Sequence, residues 1–203
     1  MSVLFFVCVI CIFATVPLHF ISVEHTKLQK KYGKKKGTKI GRVYGTISGT
    51  IEFIILIGLW VSPQPTFVIP IFSNLAISIV NLSIPILHLI ISLPLTAVGA
   101  WFGIKGLRTT GMEVAETHCL PKKIATTGPY SIVRHPQYFG WILAHVGISV
   151  LLSVWHSTLF TPLLLLLIYL ISRKEEEELT REFGREYKDY QKKVPMLIPR
   201  LKR

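Results

Sequence analysis

Apolar stretches of membrane-spanning length divide this chain of 203 residues. A helix needs about 20 mostly apolar residues to cross the hydrocarbon core of a bilayer. Stretches of this kind predict spans at about 2–23, 43–62, 84–107, 137–153 and 156–172. Half of the residues are hydrophobic, and the mean hydropathy is +0.49. The sequence therefore predicts a multi-pass integral membrane protein.

The basic residues indicate the orientation of these spans. All 23 Lys and Arg residues fall in three stretches, at 27–42, 105–134 and 173–203. Membrane-length apolar runs separate the stretches, which argues against nucleic acid as the partner despite a net charge of +12. Cytoplasmic loops carry an excess of Lys and Arg. Five spans place all three stretches in the cytosol, with the N-terminus outside and the C-terminus cytosolic.

The apolar segment 66–82 decides the number of spans. Pro70 and Asn74 interrupt it. If it crossed the bilayer, six spans would put two basic loops on opposite sides, against the usual charge bias. We therefore predict an exoplasmic or re-entrant segment, helical and packed on the bundle.

The resulting fold prediction is an all-α integral membrane protein with five transmembrane helices and a C-terminal cytosolic helix. It forms a single domain, in which residues 1–107 supply N-terminal spans and residues 108–203 supply a catalytic core. The membrane would be the plasma membrane in a prokaryote and the endoplasmic reticulum in a eukaryote. The sequence does not indicate an oligomeric state.

Several polar residues lie within the predicted spans. An ionisable group in lipid is costly and faces a partner or a cavity, so Glu52 is either a pocket residue or a protonated or hydrogen-bonded structural carboxyl. His88 and His145 are interpreted as structural hydrogen-bonding groups. Cys8 and Cys11 form a CxxC pair without a second pair or a nearby His, so we predict packing residues and no metal site.

Small residues recur every four positions in two of the spans. They are Gly41, Gly45 and Gly49 in one span, and Gly99 and Gly103 in the next. This spacing allows helix backbones to approach closely in lipid. It favours packing inside one bundle over a dimer face.

A polar segment before the fourth span has the features of a helix start at the membrane surface. Gly128-Pro129 predicts a turn, and Pro136 suits the first turn of a helix because it lacks an N–H. Arg134 and His135 then lie at a helix N-terminus, which attracts anions. The alternative is an Arg whose charged end reaches water and anchors the helix.

A glutamate run follows the fifth span. On a helix of 3.6 residues per turn, one stripe carries Leu179, Phe183, Tyr187 and Tyr190. Glu175 and Glu176 share the inward face of that stripe, whereas Glu177 and Glu178 point away. The fourth and fifth spans form a hairpin, so we expect Glu175 and Glu176 to meet Arg134 and His135.

These motifs together resemble a known family. The segments GPYSIVRHPQYFGW and EEEELTREFGREYKDYQKKVP, separated by a helical hairpin, are similar to the isoprenylcysteine carboxyl methyltransferases. More broadly, they resemble the membrane methyltransferases that include the phospholipid N-methyltransferases. The similar region covers about 122–200. The resemblance implies five or more helices, S-adenosyl-L-methionine bound near the cytosolic face, and a lipid-like substrate that enters from the bilayer.

The resemblance also implies a set of site residues. The catalytic residues would be Arg134, Glu175 and Glu176. The cofactor-binding residues would be Lys122, Ile124, Ala125, Gly128, Tyr130, Arg134, His135, Pro136, Tyr138 and Glu176. Lys122 stands where family members have a histidine.

The activity implied first is carboxyl methylation of a C-terminal prenylcysteine. Methylation of a phospholipid or of another small molecule at nitrogen or sulfur is an alternative. A reductase of the membrane sterol type, with NADPH as cofactor, and a non-enzymatic membrane scaffold are alternatives of other classes.

Overall fold

A computed structural model describes residues 2–71, 75–79, 82–111 and 123–200. Most of these residues are helical, as predicted. The elements in chain order are α1 (Val3–Val23), α2 (His25–Tyr32), α3 (Lys34–Val61), β1 (Ala76–Ile79), β2 (Leu82–Pro85), α4 (Ile86–Thr110), a 3₁₀ turn (Gly128–Ser131), α5 (Pro136–Leu151), α6 (Trp155–Phe183) and α7 (Arg185–Lys193).

Four helices in the described part of the chain are long and apolar enough to cross a bilayer. They are α1, α3, α4 and α6. The helix α5 has 16 residues, which is shorter than the roughly 20 that a span needs. The structure thus supports a helical membrane protein, while five spans and their orientation stay predictions.

The prediction of a helix at 66–82 is wrong for the described residues of that segment, although the protein is mostly helical, which is consistent with the predicted all-α class. Thr66 forms an antiparallel bridge with Val154, and β1 pairs with β2 as an antiparallel hairpin. Proline lacks the N–H that a helix interior requires, and Pro65 and Pro70 flank the first part of the segment. Further on, β-branched Ile alternates with Ser, a pattern that suits strands.

The same segment packs on the bundle, as predicted. The Phe67 N–H donates to the carbonyl of Ser153 at 2.9 Å, and the Trp155 N–H donates to the carbonyl of Pro65 at 3.0 Å. These bonds hold the segment against the turn between α5 and α6. The end of the bundle opposite the glutamate run is thereby closed.

Glycines bring α4 and α5 into backbone contact. A Cβ on Gly140 would lie 2.5 Å from the carbonyl oxygen of Gly99, and a Cβ on Gly147 would lie 3.0 Å from that of Ser92. Gly41 packs in the same way on the backbone of α1, since its Cβ would lie 3.0 Å from the oxygen of Ser22. Gly41 and Gly99 thus pack inside the chain, which is the favoured interpretation of the spacing, whereas a Cβ on Gly49 or Gly103 would meet no atom within 4 Å.

The apolar core lies between α1, α3 and α6. Phe5, Leu59 and Phe160 are buried there. Phe6 and Ile90, by contrast, are 50% and 61% exposed on the outer surface. Apolar side chains that face outward along long helices are what a lipid environment accommodates.

The helix α6 continues through the glutamate run. It ends at Gly184, whose φ of 55° is in the left-handed region that glycine adopts readily. The chain then turns into α7. The predicted C-terminal helix is therefore two helices, and the break lets α7 fold back beside the start of α5.

Candidate active site

The segment just before α5 is hydrogen-bonded to the C-terminal tail. The Arg134 N–H donates to the carbonyl of Pro195 at 2.9 Å, and the His135 N–H donates to that of Met196 at 3.1 Å. The backbone of Arg134 and His135 is therefore held between α5 and the C-terminal tail. Pro136 is buried in the first turn of α5, as its lack of an N–H allows.

The predicted contact between Arg134 and Glu176 is present. Nε of Arg134 lies 2.6 Å from Oε1 of Glu176, and Nη2 lies 3.0 Å from Oε2. Nη1 donates to the carbonyls of Gln191 and Val194. This is a bidentate, charge-assisted pair, and the guanidinium is occupied by protein groups on both sides.

His135 lies between the two glutamates. Its Nδ1 is 3.3 Å from Glu175, and its Nε2 is 3.2 Å from Glu176. Burial by itself would lower the pKa of His135, but the hydrogen bonds to Glu175 and Glu176 outweigh burial and raise the pKa to about 9. The imidazole is therefore a cation at neutral pH.

Glu175 connects this cluster to the interior of the bundle. The hydroxyl of Tyr138 donates to Oε1 of Glu175 and lies 3.3 Å from Nε2 of His19. On the other side of its ring, Nδ1 of His19 lies 3.1 Å from Glu52. Four helices thus contribute to one continuous polar network.

This network borders a cavity of about 910 Å³. Its lining includes most of the predicted site residues: Ile124, Ala125, Tyr130, Arg134, His135, Tyr138 and Glu175. Glu176 lies behind Arg134 and faces a second, smaller groove beside Gln191. Gly128 and Pro136 support the wall without lining it. Lys122 lies outside the described residues.

Gly128 and Tyr130 hold the segment before α5 in place. Gly128 starts the 3₁₀ turn with a φ of 60°, a conformation that favours glycine. The carbonyl of Tyr130 accepts a hydrogen bond from the Tyr190 hydroxyl on α7. The Tyr130 hydroxyl lies 3.3 Å from the Gln137 amide, which also reaches Thr110 on α4.

The predicted aromatic stripe lines the Glu175 end of the cavity. Tyr187 and Tyr190 are buried and pack with Leu179, Phe183 and Ile124. Burial raises the pKa of both tyrosines. They are neutral at physiological pH and offer flat apolar faces with polar ends.

The prediction that Glu177 and Glu178 both point away is half wrong. Glu177 is exposed and lies 4.0 Å from Arg181. Glu178 is only 1% exposed, and it accepts a hydrogen bond from the Thr26 N–H at 3.1 Å. The reason is α2, which packs against this face of α6. The sequence pattern predicts a solvated face there, but the contact with α2 makes it an interface.

The sequence pattern missed His19 as a site residue. Nothing in its neighbourhood along the chain distinguishes it, because its partners Glu52 and Glu175 come from distant helices. Glu52 satisfies both interpretations offered for it, since it is paired with His19 and also lines the cavity. His88 and His145 have structural partners, Ser153 and Trp60.

The cavity extends from this polar cluster toward the apolar surfaces of α3 and α4. Phe53 on α3 and Ile104 on α4 line it, and they are 56% and 51% exposed. Gly49 and Gly103 line the same region, and a Cβ at either position would meet no atom within 4 Å. The cavity thus reaches the outer surface between α3 and α4.

The residues at the Glu175 end of the cavity fit a nucleoside cofactor with a positive charge. Glu175 supplies carboxylate oxygens that suit ammonium or sulfonium groups and hydroxyl donors. Tyr130, Tyr187 and Tyr190 supply aromatic surface for a base. Sites for ligands of this size have volumes of about 300–1,000 Å³, which the cavity matches.

Comparison with known proteins gives the family. Residues 87–186, from α4 to the start of α7, match the family model described as phospholipid methyltransferase. Over these residues the chain is similar to that family of membrane methyltransferases. The resemblance inferred from the sequence is therefore confirmed, and the matches favour it over the reductase alternative.

The curated relatives are also methyltransferases. The chain is 33% identical over 128 residues to the methanethiol S-methyltransferase of Crocosphaera subtropica, a match that covers 63% of this chain and 49% of the relative. It is 35% identical over 98 residues to the mouse protein-S-isoprenylcysteine O-methyltransferase, covering 44% and 31%. The human protein of that name is 34% identical over 103 residues, again covering 44% and 31%. The matches span half or less of the length of these relatives.

Proposed function

We propose that this chain is an S-adenosylmethionine-dependent methyltransferase that acts on a lipid-like acceptor from the bilayer. The observation that carries the proposal is one continuous cavity, which joins the acidic cluster to an apolar opening between α3 and α4. One end suits a charged, water-soluble cofactor. The other suits an acceptor dissolved in the membrane.

In this proposal the site faces the cytosol. The basic stretches 27–42 and 173–203 flank the cluster end of the helices, and such stretches favour the cytosolic side. The five helices α1, α3, α4, α5 and α6 would then cross the bilayer in alternating directions, with the N-terminus outside. The aromatic stripe of α7 would cover the cofactor.

The residues divide into two groups by role. Glu175, Tyr130 and the tyrosines of α7 would hold the cofactor, together with the backbone at Ile124 and Ala125. Glu176 and Arg134 would fix the start of α5, because each satisfies the other's charge. The bound cofactor supplies an electrophilic methyl group; the protein supplies orientation and exclusion of water, which can contribute roughly 7–11 kcal/mol.

Two acceptor classes follow from the comparisons. Relatives named isoprenylcysteine O-methyltransferase support a prenylcysteine carboxylate, the acceptor implied first by the sequence. Relatives named methanethiol S-methyltransferase support a thiol. Both acceptors are nucleophiles that suit the opening between α3 and α4. A prenylcysteine carries its carboxylate on an apolar group, and a thiol partitions into apolar surroundings.

A methyl-transfer assay tests the proposed function. The detergent-purified protein is incubated with S-adenosylmethionine carrying a labelled methyl group and three acceptors: N-acetyl-S-farnesylcysteine, phosphatidylethanolamine and 1-decanethiol. We expect transfer to at least one, and a fall of about 100-fold in Glu175→Gln, because loss of one preorganised charge costs about that much. Glu177→Gln, an exposed neighbour, is the matched control. No transfer to any acceptor, or equal rates in both variants, would contradict the proposal.

A further inference from the structure

The helix α2 and the first turns of α3 together carry a dense positive charge. Residues 25–42 contain seven lysines and Arg42, and no acidic residue. The seven lysines are all exposed and form a surface here named the lysine hairpin. Its members are Lys27, Lys30, Lys31, Lys34, Lys35, Lys36 and Lys39. Within the described residues, Lys27 is the one member that forms an ion pair, with Glu24 at 2.9 Å.

The helix α7 is basic in a different way. Its four basic residues are accompanied by Glu186 and Asp189. Asp189 lies 2.7 Å from Lys192 and 3.8 Å from Arg185. Acidic residues have little effect on the orientation of a membrane protein. Orientation alone therefore does not explain why the lysine hairpin lacks them.

The lysines project from a rigid backbone. A Cβ on Gly37 would lie 2.6 Å from the carbonyl carbon and oxygen of Leu28, so α2 and α3 touch at their backbones. Lys31 and Lys36 lie 5.1 and 5.9 Å from the centre of the Tyr32 ring. Charges from both helices are thus held close together, which a flexible loop would not do.

This arrangement is unfavourable unless anions are close by. Lys34, Lys35 and Lys36 form the first turn of α3, where the helix dipole is positive. That turn contains no acidic residue and receives no hydrogen bond from a capping side chain. Like charges at short range repel one another, and each neighbouring anion relieves that repulsion.

The lysine hairpin lies near the level of lipid headgroups. The apolar part of α3 begins at about residue 43. At a rise of about 1.5 Å per residue, Lys39 and Lys34 lie roughly 6 and 14 Å beyond that point. The headgroup layer of each leaflet is about 5–8 Å thick. Charges at physiological ionic strength act over a further distance of about 8 Å, so the whole hairpin is within reach of headgroup charge.

We propose that the lysine hairpin binds the headgroups of anionic phospholipids, in the leaflet at the Glu175 end of the bundle. Each basic residue next to a span favours anionic lipid by a factor of about five in affinity. The membrane supplies these headgroups at high density beside α3. A soluble anion is less suited, because neither cavity near the Glu175 cluster is lined by a lysine of the hairpin. The inference goes beyond the proposed function and does not require methyl transfer.

The helix α2 connects this surface to the cavity. Glu178 on α6 accepts a hydrogen bond from the Thr26 N–H at 3.1 Å, and Glu24 lies 2.8 Å from Lys174 on α6. His25, between Glu24 and Thr26, lines the cavity. Lipid bound to the lysine hairpin should therefore stabilise α2 against α6, and with it this wall of the cavity.

Thermal unfolding in detergent tests the binding. The protein is titrated with phosphatidylglycerol and, separately, with phosphatidylcholine of the same acyl chains and with inorganic phosphate. At about 100 times Kd, phosphatidylglycerol should raise Tm by about 5–11 °C. Phosphatidylcholine and inorganic phosphate should each raise Tm by no more than about 2 °C. Higher salt should weaken the effect of phosphatidylglycerol, because it screens the lysines.

Two triple variants, each of which removes three positive charges, locate the site. K34Q/K35Q/K36Q should raise the apparent Kd for phosphatidylglycerol by up to about 100-fold, at about fivefold for each lysine. The matched control replaces the three lysines of α7 by Gln and should change Kd by less than about threefold, because exposed charges with acidic neighbours contribute little. K34R/K35R/K36R keeps the charges and should bind like the wild type.

Hydrogen exchange measures the connection to the cavity. Phosphatidylglycerol should slow amide exchange in α2 (His25–Tyr32), because bound lipid holds this helix against α6. Exchange in α7 should not change. Phosphatidylcholine should affect neither helix.

The outcomes separate the parts of this inference. Equal Tm shifts with the two phospholipids, or equal losses of affinity in the two triple Gln variants, would overturn the lipid site. Stabilisation by inorganic phosphate equal to that by phosphatidylglycerol would overturn the lipid as the occupant. Lipid binding with unchanged exchange in α2 would overturn the connection to the cavity. Since none of these measurements uses methyl transfer, their failure is distinguishable from a failure of the proposed function.

Discussion

Replacement of Glu176 by Ala tests how the start of α5 is held. Its carboxylate accepts hydrogen bonds from Arg134 and from the amide of Gln191. The side chains of Glu176 and Arg134 are only 8% and 9% exposed. Glu176→Ala would therefore leave a buried guanidinium without its counterion, which costs about 3–5 kcal/mol.

The measurement is thermal unfolding in detergent at a fixed heating rate. For a chain of this size, 1 kcal/mol corresponds to about 2–4 °C, so Glu176→Ala should lower Tm by about 6–20 °C. The matched control is Glu177→Ala. That side chain is 51% exposed and lies 3.9 and 4.0 Å from its nearest cations, Lys174 and Arg181, so its Tm should change by less than about 2 °C.

A double variant separates loss of the ion pair from loss of packing. Arg134→Met combined with Glu176→Leu removes both charges and keeps apolar volume, which in other buried pairs is neutral or stabilising. It should therefore be more stable than Glu176→Ala alone. Equal Tm values for Glu176→Ala and Glu177→Ala, or a double variant at least as unstable as the single one, would refute the reasoning.

Three further predictions follow from pKa, packing and topology. The pKa of His135 in the folded protein is about 9, above its ordinary value of 6.5. The stability that protonated His135 adds to the folded state is therefore complete below about pH 6.5 and is lost as the pH rises through 9. Between about pH 7 and 10, Tm should fall more steeply in the wild type than in His135→Gln. Gly140→Ala should lower stability by about 1–3 kcal/mol, because its Cβ would lie 2.5 Å from a backbone oxygen of α4, whereas Gly103→Ala has open space and should be near neutral in a chemical denaturation series. An impermeant maleimide on intact cells, in a background without the native cysteines, should label Ser78→Cys but not Lys188→Cys; the reverse pattern would contradict the orientation.

Local periodicity was sufficient to predict the contact between Arg134 and Glu176. A helical hairpin and the 3.6-residue period of α6 place both residues at one end of the bundle, and the structure has them 2.6 Å apart. The same period predicted the stripe that includes Tyr187 and Tyr190. These features depend on neighbours along the chain, which a sequence displays directly.

Features that depend on distant elements could not be predicted in this way. His19 gains its significance from Glu52 on α3 and Glu175 on α6. Glu178 faces inward because α2 docks against it. The described residues of 66–82 are not helical, because the prolines and alternating Ile residues there outweigh an apolar composition that a helix would share.

Calorimetric binding of cofactors tests the central claim most directly. S-adenosylhomocysteine and NADPH are titrated separately into the detergent-purified protein, with Glu175→Gln as the site variant and Glu177→Gln as its matched control. The account predicts that the wild type and Glu177→Gln bind S-adenosylhomocysteine, that Glu175→Gln binds it more weakly, and that none of them binds NADPH. Binding of NADPH without binding of S-adenosylhomocysteine would contradict the methyltransferase assignment.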